Sequence, residues 1–288
     1  MQPARRANGT GVRQIAQTQP ATPFLKWAGG KSQLLSTFNK FYPPKFNRYF
    51  EPFLGGGAVF FNLAARNKGL KAIISDCNAE LINCYVMLRD QPEAVIEALR
   101  EHRNDIHYFY KIREMDCEDL DDAERAARMI FLNKTCFNGL YRVNRKGQFN
   151  VPFGRYKNPK LVDHQNIAAV SRVLADAQIT CQPFEQVVAK ARQGDFVYLD
   201  PPYHPLSNTS NFTGYTKGSF NFTDQERLAA AFKSLSQKGC YVMQSNSDIA
   251  AIRDLYSGFR TETVLANRAI NCNGEKRGRI NELLILNF

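Results

Sequence analysis

Phe196-Val197-Tyr198-Leu199-Asp200-Pro201-Pro202-Tyr203 is the stretch that decides how the rest of the chain reads. Its aromatic and β-branched start fits a short buried strand, and strand ends are where open α/β sheets hold their ligands. The prolines cannot continue a sheet ladder, because neither has an N–H and both have a fixed φ. The chain therefore stops rigidly, presenting a carboxylate, a bare carbonyl and an aromatic ring together. That trio suits a flat base carrying an exocyclic amino group. Asp200 can accept one N–H, the Pro201 carbonyl another, and Tyr203 can stack on the ring. Asp200, Pro201, Pro202 and Tyr203 are accordingly the candidate catalytic residues. A plain strand ending in a proline turn could carry the same letters, so the remainder of the chain has to decide.

Upstream, Trp27-Ala28-Gly29-Gly30-Lys31-Ser32 ends in the letters of a phosphate-binding loop, but that motif wants a glycine where Leu25 stands, and no buried strand precedes it. What remains is a glycine turn offering Trp27, the only tryptophan, and Lys31 to a small ligand. Residues 49–53 read as a strand, 54–58 as a glycine turn, 59–65 as a helix and 72–75 as a second strand ending at Asp76. This order is the nucleotide-binding half of a Rossmann-like unit. The glycines admit a ligand close to the backbone, and an acid about 20 residues later can hold ribose hydroxyls.

Residues 78–88, 92–103 and 121–133 carry helical apolar spacing and the more aromatic 105–118 reads as helical too; such a run interrupting an α/β pattern suggests an inserted subdomain. Behind it, residues 134–160 contain no acid, while Lys134, Arg142, Arg145, Lys146, Arg155, Lys157 and Lys160 alternate with Tyr141, Phe149, Phe153 and Tyr156. Asn138, Asn144 and Asn150 lie among them, and residues 143–149 look like a hairpin. Cations reach phosphates, Arg and Asn read base edges, and rings wedge or stack. An acid-free run of this mixture favours DNA over a merely solvated face. The α/β pattern then resumes, with strands at 179–182, 195–200 and 240–245 and helices at 184–192 and 249–255. Thr223-Asp224-Gln225-Glu226 matches a capping box opening a helix to residue 237, and strands at 259–265 and 283–287 close the chain around a loop at 271–279.

The 288 residues are 44% hydrophobic and 23% charged, ordinary for a soluble globular protein, and the net charge of +11 points to a polyanionic partner. No run approaches the ~20 apolar residues of a membrane span. Seven scattered cysteines without a CxxC pair fit reduced thiols in a cytoplasmic protein, and the isolated histidines give no metal site. Residues 1–23, basic and almost without large apolar side chains, read as a disordered tail.

On Phe24 to Lys31, Phe53 to Gly57, Asn138 to Tyr156 and Asp200 to Tyr215, the chain resembles the Dam family of DNA N6-adenine methyltransferases. The likeness runs from about Phe24 to the C-terminus. It implies an α/β, Rossmann-like S-adenosylmethionine-dependent sheet over residues 24–90 and 162–288, with a mostly helical DNA-recognition insert, hairpin included, at 91–161. It implies S-adenosyl-L-methionine contacts at Trp27, Lys31, Phe53, Gly55, Gly57, Asp76 and Asp200. For duplex DNA, commonly at GATC, it implies base reading by Asn138, Leu140, Arg142 and Pro152, with Phe137 as a wedge. Lys26, Asn144, Arg145, Lys146, Arg155 and Lys157 complete the expected DNA face. Lys26 departs in detail from how some relatives arrange their outer guanine contact. By the groove code Arg142 suits guanine, and Leu140 or Pro152 the thymine methyl. Whether such an enzyme acts alone or beside a restriction endonuclease lies in neighbouring genes.

The chemistry follows from valence. An adenine N6 lone pair is delocalised into the ring; hydrogen bonds to Asp200 and the Pro201 carbonyl would localise it and aim it at a sulfonium methyl. C5-cytosine methylation would need a thiolate, usually after proline, and the chain has no Pro-Cys pair; the H-x-E and P-C-x-x-C of zinc deaminases are also missing. N4-cytosine methylation fits the same tetrapeptide, and a catalytically silent DNA-binding regulator is the rival from another class. The target base has to flip out, and residues 208–222 are the candidate lid.

Overall fold

Strands buried on both faces need unbroken apolar runs, and the opening stretch is buried at every position of Phe196–Leu199. The structure, a computed structural model, describes residues 19–203, 220–267 and 279–288. Its strands are β1 (Tyr49–Glu51), β2 (Ala72–Ser75), β3 (Gln178–Thr180), β4 (Phe196–Leu199), β5 (Tyr241–Ser247), β6 (Arg260–Asn267) and β7 (Arg279–Leu286). They form one sheet in the order β3-β2-β1-β4-β5-β7-β6. Strands β1 to β5 pair in parallel, and β7 runs antiparallel between β5 and β6.

The chain builds outward from β1 through β2 to β3, then returns to lay β4 on the other side of β1, with Tyr49 opposite Phe196 and Phe50 opposite Val197. Strand order therefore reverses between β1 and β4, and the crevice beyond their carboxyl ends is the natural ligand site of such a sheet. Side-chain alternation along β4 feeds two cores. Phe196 and Tyr198 join the cluster holding Phe38, Tyr49 and Ile74. Val197 and Leu199 join the cluster of Phe184, Phe232 and Tyr256.

Helices α1 (Leu35–Phe38), α2 (Ala58–Arg66), α3 (Ala79–Asp90), α4 (Pro92–Arg100), α5 (Ile106–Glu114), α6 (Asp122–Thr135), α7 (His164–Leu174), α8 (Phe184–Val188), α9 (Phe222–Gln237) and α10 (Ala250–Leu255) cover the sheet and build the insert. Helix α6 opens on a capping box of Asp121 and Glu124. Its buried Arg128 donates to the carbonyls of Ile112, Arg113 and Met115, so α6 closes the end of α5.

Several expectations need correction. Helix α7 was not foreseen, although Asp163 caps it and Ile167, Val170 and Leu174 bury one face at helical spacing. The helix expected over 105–118 ends at Glu114, and Cys117–Asp119 is a separate 3₁₀ turn. That expected over 184–192 stops at Val188, after which the backbone tightens to i−3 bonds at Lys190 and Ala191. Asn221 and Asp224, rather than Thr223 and Glu226, form the capping box of α9. The last residues given to the N-terminal tail are packed: Ala21 is buried, and Thr22 donates to Asn166 at 2.9 Å. Residues 1–18 and most of the expected lid and closing loop lie outside the described residues.

Candidate active site

Asp200 leaves the end of β4 beside β1, so its carboxylate stands at the switch point. Lys31, in the 3₁₀ turn Lys31–Leu34 after the glycine turn, reaches it with an Nζ–Oδ2 separation of 2.8 Å. The same Nζ donates to the Gly29 carbonyl at 2.6 Å and lies 5.0 Å from the centre of the Tyr203 ring. Lys31 is 4% exposed and Asp200 19%. Burial pushes the Asp200 carboxyl up to about 6, against the pull of the Lys31 charge. It is thus ionised at neutral pH and able to accept. An amine arriving between Asp200 and Tyr203 has to compete with an ammonium already seated there.

The rest of the tetrapeptide is held from behind. Gln225 on α9 donates its Nε2 to the Pro202 carbonyl at 3.1 Å, and Asn246 on β5 donates to the Gln225 Oε1 at 2.9 Å. Both amides are fully buried, so this relay fixes the backbone without solvent. The Tyr203 hydroxyl donates to Glu282 Oε2 on β7 at 2.9 Å.

Beyond β1, Asp76 gathers the glycine turn. Its Oδ2 accepts the Gly55 N–H and its Oδ1 the Asn78 N–H, each at 3.0 Å. Burial raises its pKa, opposed by the N–H groups of Gly55, Asn78 and Cys77. Gly55 and Gly57 take φ of +49° and +69°, open at low cost only to glycine. Trp27 lies against the turn: a Cβ on Gly55 would stand 2.7 Å from Trp27 Cδ1. Trp27 also stacks on Tyr141 with centroids 5.4 Å apart, which joins the turn to the insert. Phe53 stacks on Phe184 at 5.4 Å.

Beneath these groups the Tyr49 hydroxyl donates to Glu51 Oε2 at 2.7 Å, and burial pushes the Glu51 carboxyl up to about 8. Its folded pKa exceeds the unfolded value of about 4.3, so its contribution to stability is full below that value and is lost as pH rises toward 8. Urea unfolding between pH 5 and 9 should therefore lose on the order of 4 kcal/mol through this group, and Glu51→Gln should remove that component. Identical pH dependence in the two proteins would refute the assignment.

In the insert, a bridge between Val143 and Phe149 forms the expected hairpin, and Arg145 and Lys146 sit exposed at its tip. Arg142 donates from Nε to Asn150 Oδ1 at 2.7 Å and from Nη2 to the Asn150 carbonyl at 3.1 Å. Asn144 closes the hairpin by accepting from Lys146 N and Gln148 N. Phe137 is 46% exposed, and its N–H donates to the Pro152 carbonyl at 2.8 Å. Asn138 beside it and Arg155 hold positive φ, at 56° and 55°. Leu140, half-buried, follows in the same loop. Lys26 lies with its Nζ 4.3 Å from the Tyr156 ring centre, and Asn133 grips its backbone N–H and carbonyl. A cleft of about 480 Å³ beside it is lined by Lys26, Lys134, Lys157 and Lys160.

Residues 27–270 match the model of the D12 class N6 adenine-specific DNA methyltransferases. The chain belongs to this family. It is 46% identical over 274 residues to the type II methyltransferase M1.LlaDCHI of Lactococcus lactis subsp. cremoris, covering 92% of this chain and 95% of that protein. The type II methyltransferase M.MjaIII of Methanocaldococcus jannaschii is also 46% identical, over 285 residues, with coverage of 92% and 99%. The DNA adenine methylase of Vibrio cholerae is 36% identical over 268 residues, with coverage of 91% and 95%. The expectation of an adenine-specific DNA methyltransferase therefore stands at family level.

In this D12 methyltransferase the residues expected at the active centre form two groups at the carboxyl edge of the sheet. Lys31, Asp200 and Tyr203 make one; Trp27, Gly55 and Asp76 make the other. Sequence reasoning missed Glu282, Gln225, Asn246 and Asn133. Gln225 sat inside the misread capping box, and Glu282 directly precedes the strand expected from 283. Among the described residues no cluster of His, Cys, Asp and Glu is placed to hold a metal ion, and no helix is long and apolar enough to cross a membrane.

The glycine turn makes its own prediction. Gly55→Ala forces a Cβ into the Trp27 ring from a positive φ, which should cost about 1–3 kcal/mol. Because Trp27 is the only tryptophan, its fluorescence reports the displacement directly. An unchanged emission spectrum would show that the ring does not rest on Gly55.

Proposed function

We propose that this enzyme transfers a methyl group from S-adenosyl-L-methionine to N6 of an adenine flipped out of duplex DNA, within GATC. The observation that carries the reading is the meeting of Asp200, Lys31 and Tyr203 at the switch point, one strand from the Gly55–Asp76 turn. GATC follows the Dam resemblance and the placement of Arg142 on a basic hairpin. The type II names of two relatives make a restriction endonuclease the candidate functional partner.

The residues fit the proposed methyl donor. Gly55 has no room for a Cβ beside Trp27, the partly exposed Asp76 lies just past the end of β2, and Phe53 is only partly buried. Trp27, Lys31, Phe53, Gly55, Gly57, Asp76 and Asp200 would hold it. When bound, S-adenosyl-L-methionine supplies an electrophilic methyl on a positively charged sulfur. Asp200 accepts one N6 N–H and the Pro201 carbonyl the other, which draws the lone pair out of conjugation. Tyr203 stacks on the base and fixes its plane. Lys31 yields its place beside Asp200 as the amine arrives, and the carboxylate stabilises the positive nitrogen until its proton leaves. Phe137 would fill the gap left in the duplex, a role its 46% exposure supports. Asn138, Leu140, Arg142 and Pro152 read bases, while Lys26, Asn144, Arg145, Lys146, Arg155 and Lys157 hold the backbone and flanks.

Incubating the protein with unmethylated DNA and S-adenosyl-L-methionine, then mapping the modified base genome-wide, tests donor, base and site together. N6-methyladenine confined to GATC is the expected product. N4-methylcytosine would refute the base assignment, and adenine methylation spread over unrelated sequences would refute the site.

A further inference from the structure

Glu282 is an acid in a strand where the chain can least afford one. It is 8% exposed on β7, between β5 and β6, opposite Ser247 and Val264, and followed by the fully buried Leu283 to Leu286. A carboxylate in such a place is costly unless hydrogen-bonded. Its partner is the Tyr203 hydroxyl, donating to Oε2 at 2.9 Å. Tyr203 lies outside any strand or helix, so its ring has two side-chain torsions to be fixed by contacts. Lys31 touches the ring electrostatically at 5.0 Å but is also committed to Asp200 and Gly29. The bond to Glu282 adds a directional contact at the far end of the ring, from the side away from β4.

We propose that Glu282 is a positioning residue for base capture, holding the Tyr203 hydroxyl so that the ring stands ready to receive the flipped base next to Asp200. This rests on the reading that Tyr203 stacks on that base. Glu282 touches no reacting atom; it acts through the ring. Strand β7, antiparallel beside β5, delivers this acceptor, which gives the closing hairpin of the sheet a part in the reaction.

The test is a double-mutant cycle of Glu282→Leu and Tyr203→Phe, with Glu282→Gln and Tyr203→Ala as controls. Loss of the bond should lower kcat by about 10- to 100-fold, because small misplacements at a reacting centre cost that much. KM for DNA and the Kd of S-adenosyl-L-methionine should each stay within about threefold, as expected for an effect on orientation rather than uniform binding. Glu282→Gln keeps an acceptor oxygen and should recover most of kcat. The double variant should be no slower than the slower single. Wild-type kcat in Glu282→Leu, or a double variant slowed by the product of the two single effects, overturns the proposal. Should Glu282→Leu fail to fold, Tyr203→Phe decides alone, and wild-type kcat there overturns it. Full turnover in Tyr203→Ala would instead remove the stacking reading and the proposal with it, whereas loss in Tyr203→Ala beside normal Glu282→Leu isolates the failure to Glu282.

Discussion

Asp200→Ala is expected to slow methyl transfer by at least about a thousandfold while Kd for DNA stays within a few-fold. The size follows from what the side chain supplies. On the proposed mechanism it accepts an amine hydrogen bond as the lone pair is drawn toward attack, then faces the positive nitrogen. Deleting one preorganised partner of a transition-state charge costs about 10²–10³ in rate, and Asp200 serves both stages. The residues proposed to hold DNA lie mostly in the insert, so DNA affinity should persist. Asp200→Asn keeps an acceptor but loses the charge, so it should fall between the two. With the native carboxyl at about 6, kcat/KM should hold above that pH and fall as pH drops through it, since the protonated acid no longer accepts on both oxygens. Removing Asp200 also strands Lys31, a nearly buried cation, at a cost of up to about 3–5 kcal/mol. Thermal stability therefore has to be measured alongside, with turnover read well below Tm. Unchanged turnover at saturating methyl donor would end the mechanism.

The legible parts of this protein are the local ones. A proline stop after a β-branched run, glycines before a helix and an acid after the next strand each write their chemistry into neighbouring letters, so Asp200, the Gly55 turn and Asp76 could be named from sequence. The acid-free stretch announced the hairpin of Val143 and Phe149 in the same way. What stayed hidden was set by pairing at long range. No local pattern says that β4 returns beside β1, and that return is what brings Lys31 to Asp200. Glu282 reaches Tyr203 only because β7 runs antiparallel to β5, and Gln225 reaches Pro202 only because α9 packs its first turn under the tetrapeptide. Helix α7 is a different case: its apolar spacing and Asp163 cap are local, but they follow directly on a basic run without that periodicity.

Arg142→Ala should relax sequence preference, cutting discrimination between GATC and single-base variants by about 1–3 kcal/mol at the guanine it reads. Asn150 takes the inner edge of the guanidinium, through Nε and Nη2, which leaves the outer Nη1–Nη2 fork to face a base. A fork held this way has lost its rotational freedom before DNA arrives, so the proposed bidentate fit to guanine O6 and N7 would be preorganised. Lys157→Ala is the contrasting case. Lys157, exposed, lines the lysine-rich cleft and is proposed to meet phosphate rather than base edges. Its loss should weaken all sequences alike and reduce the slope of log K against log salt by about one unit. Measuring methylation of GATC and its single-base variants at several salt concentrations separates the two. A uniform loss in Arg142→Ala, or a base-selective loss in Lys157→Ala, would reverse the roles assigned to them.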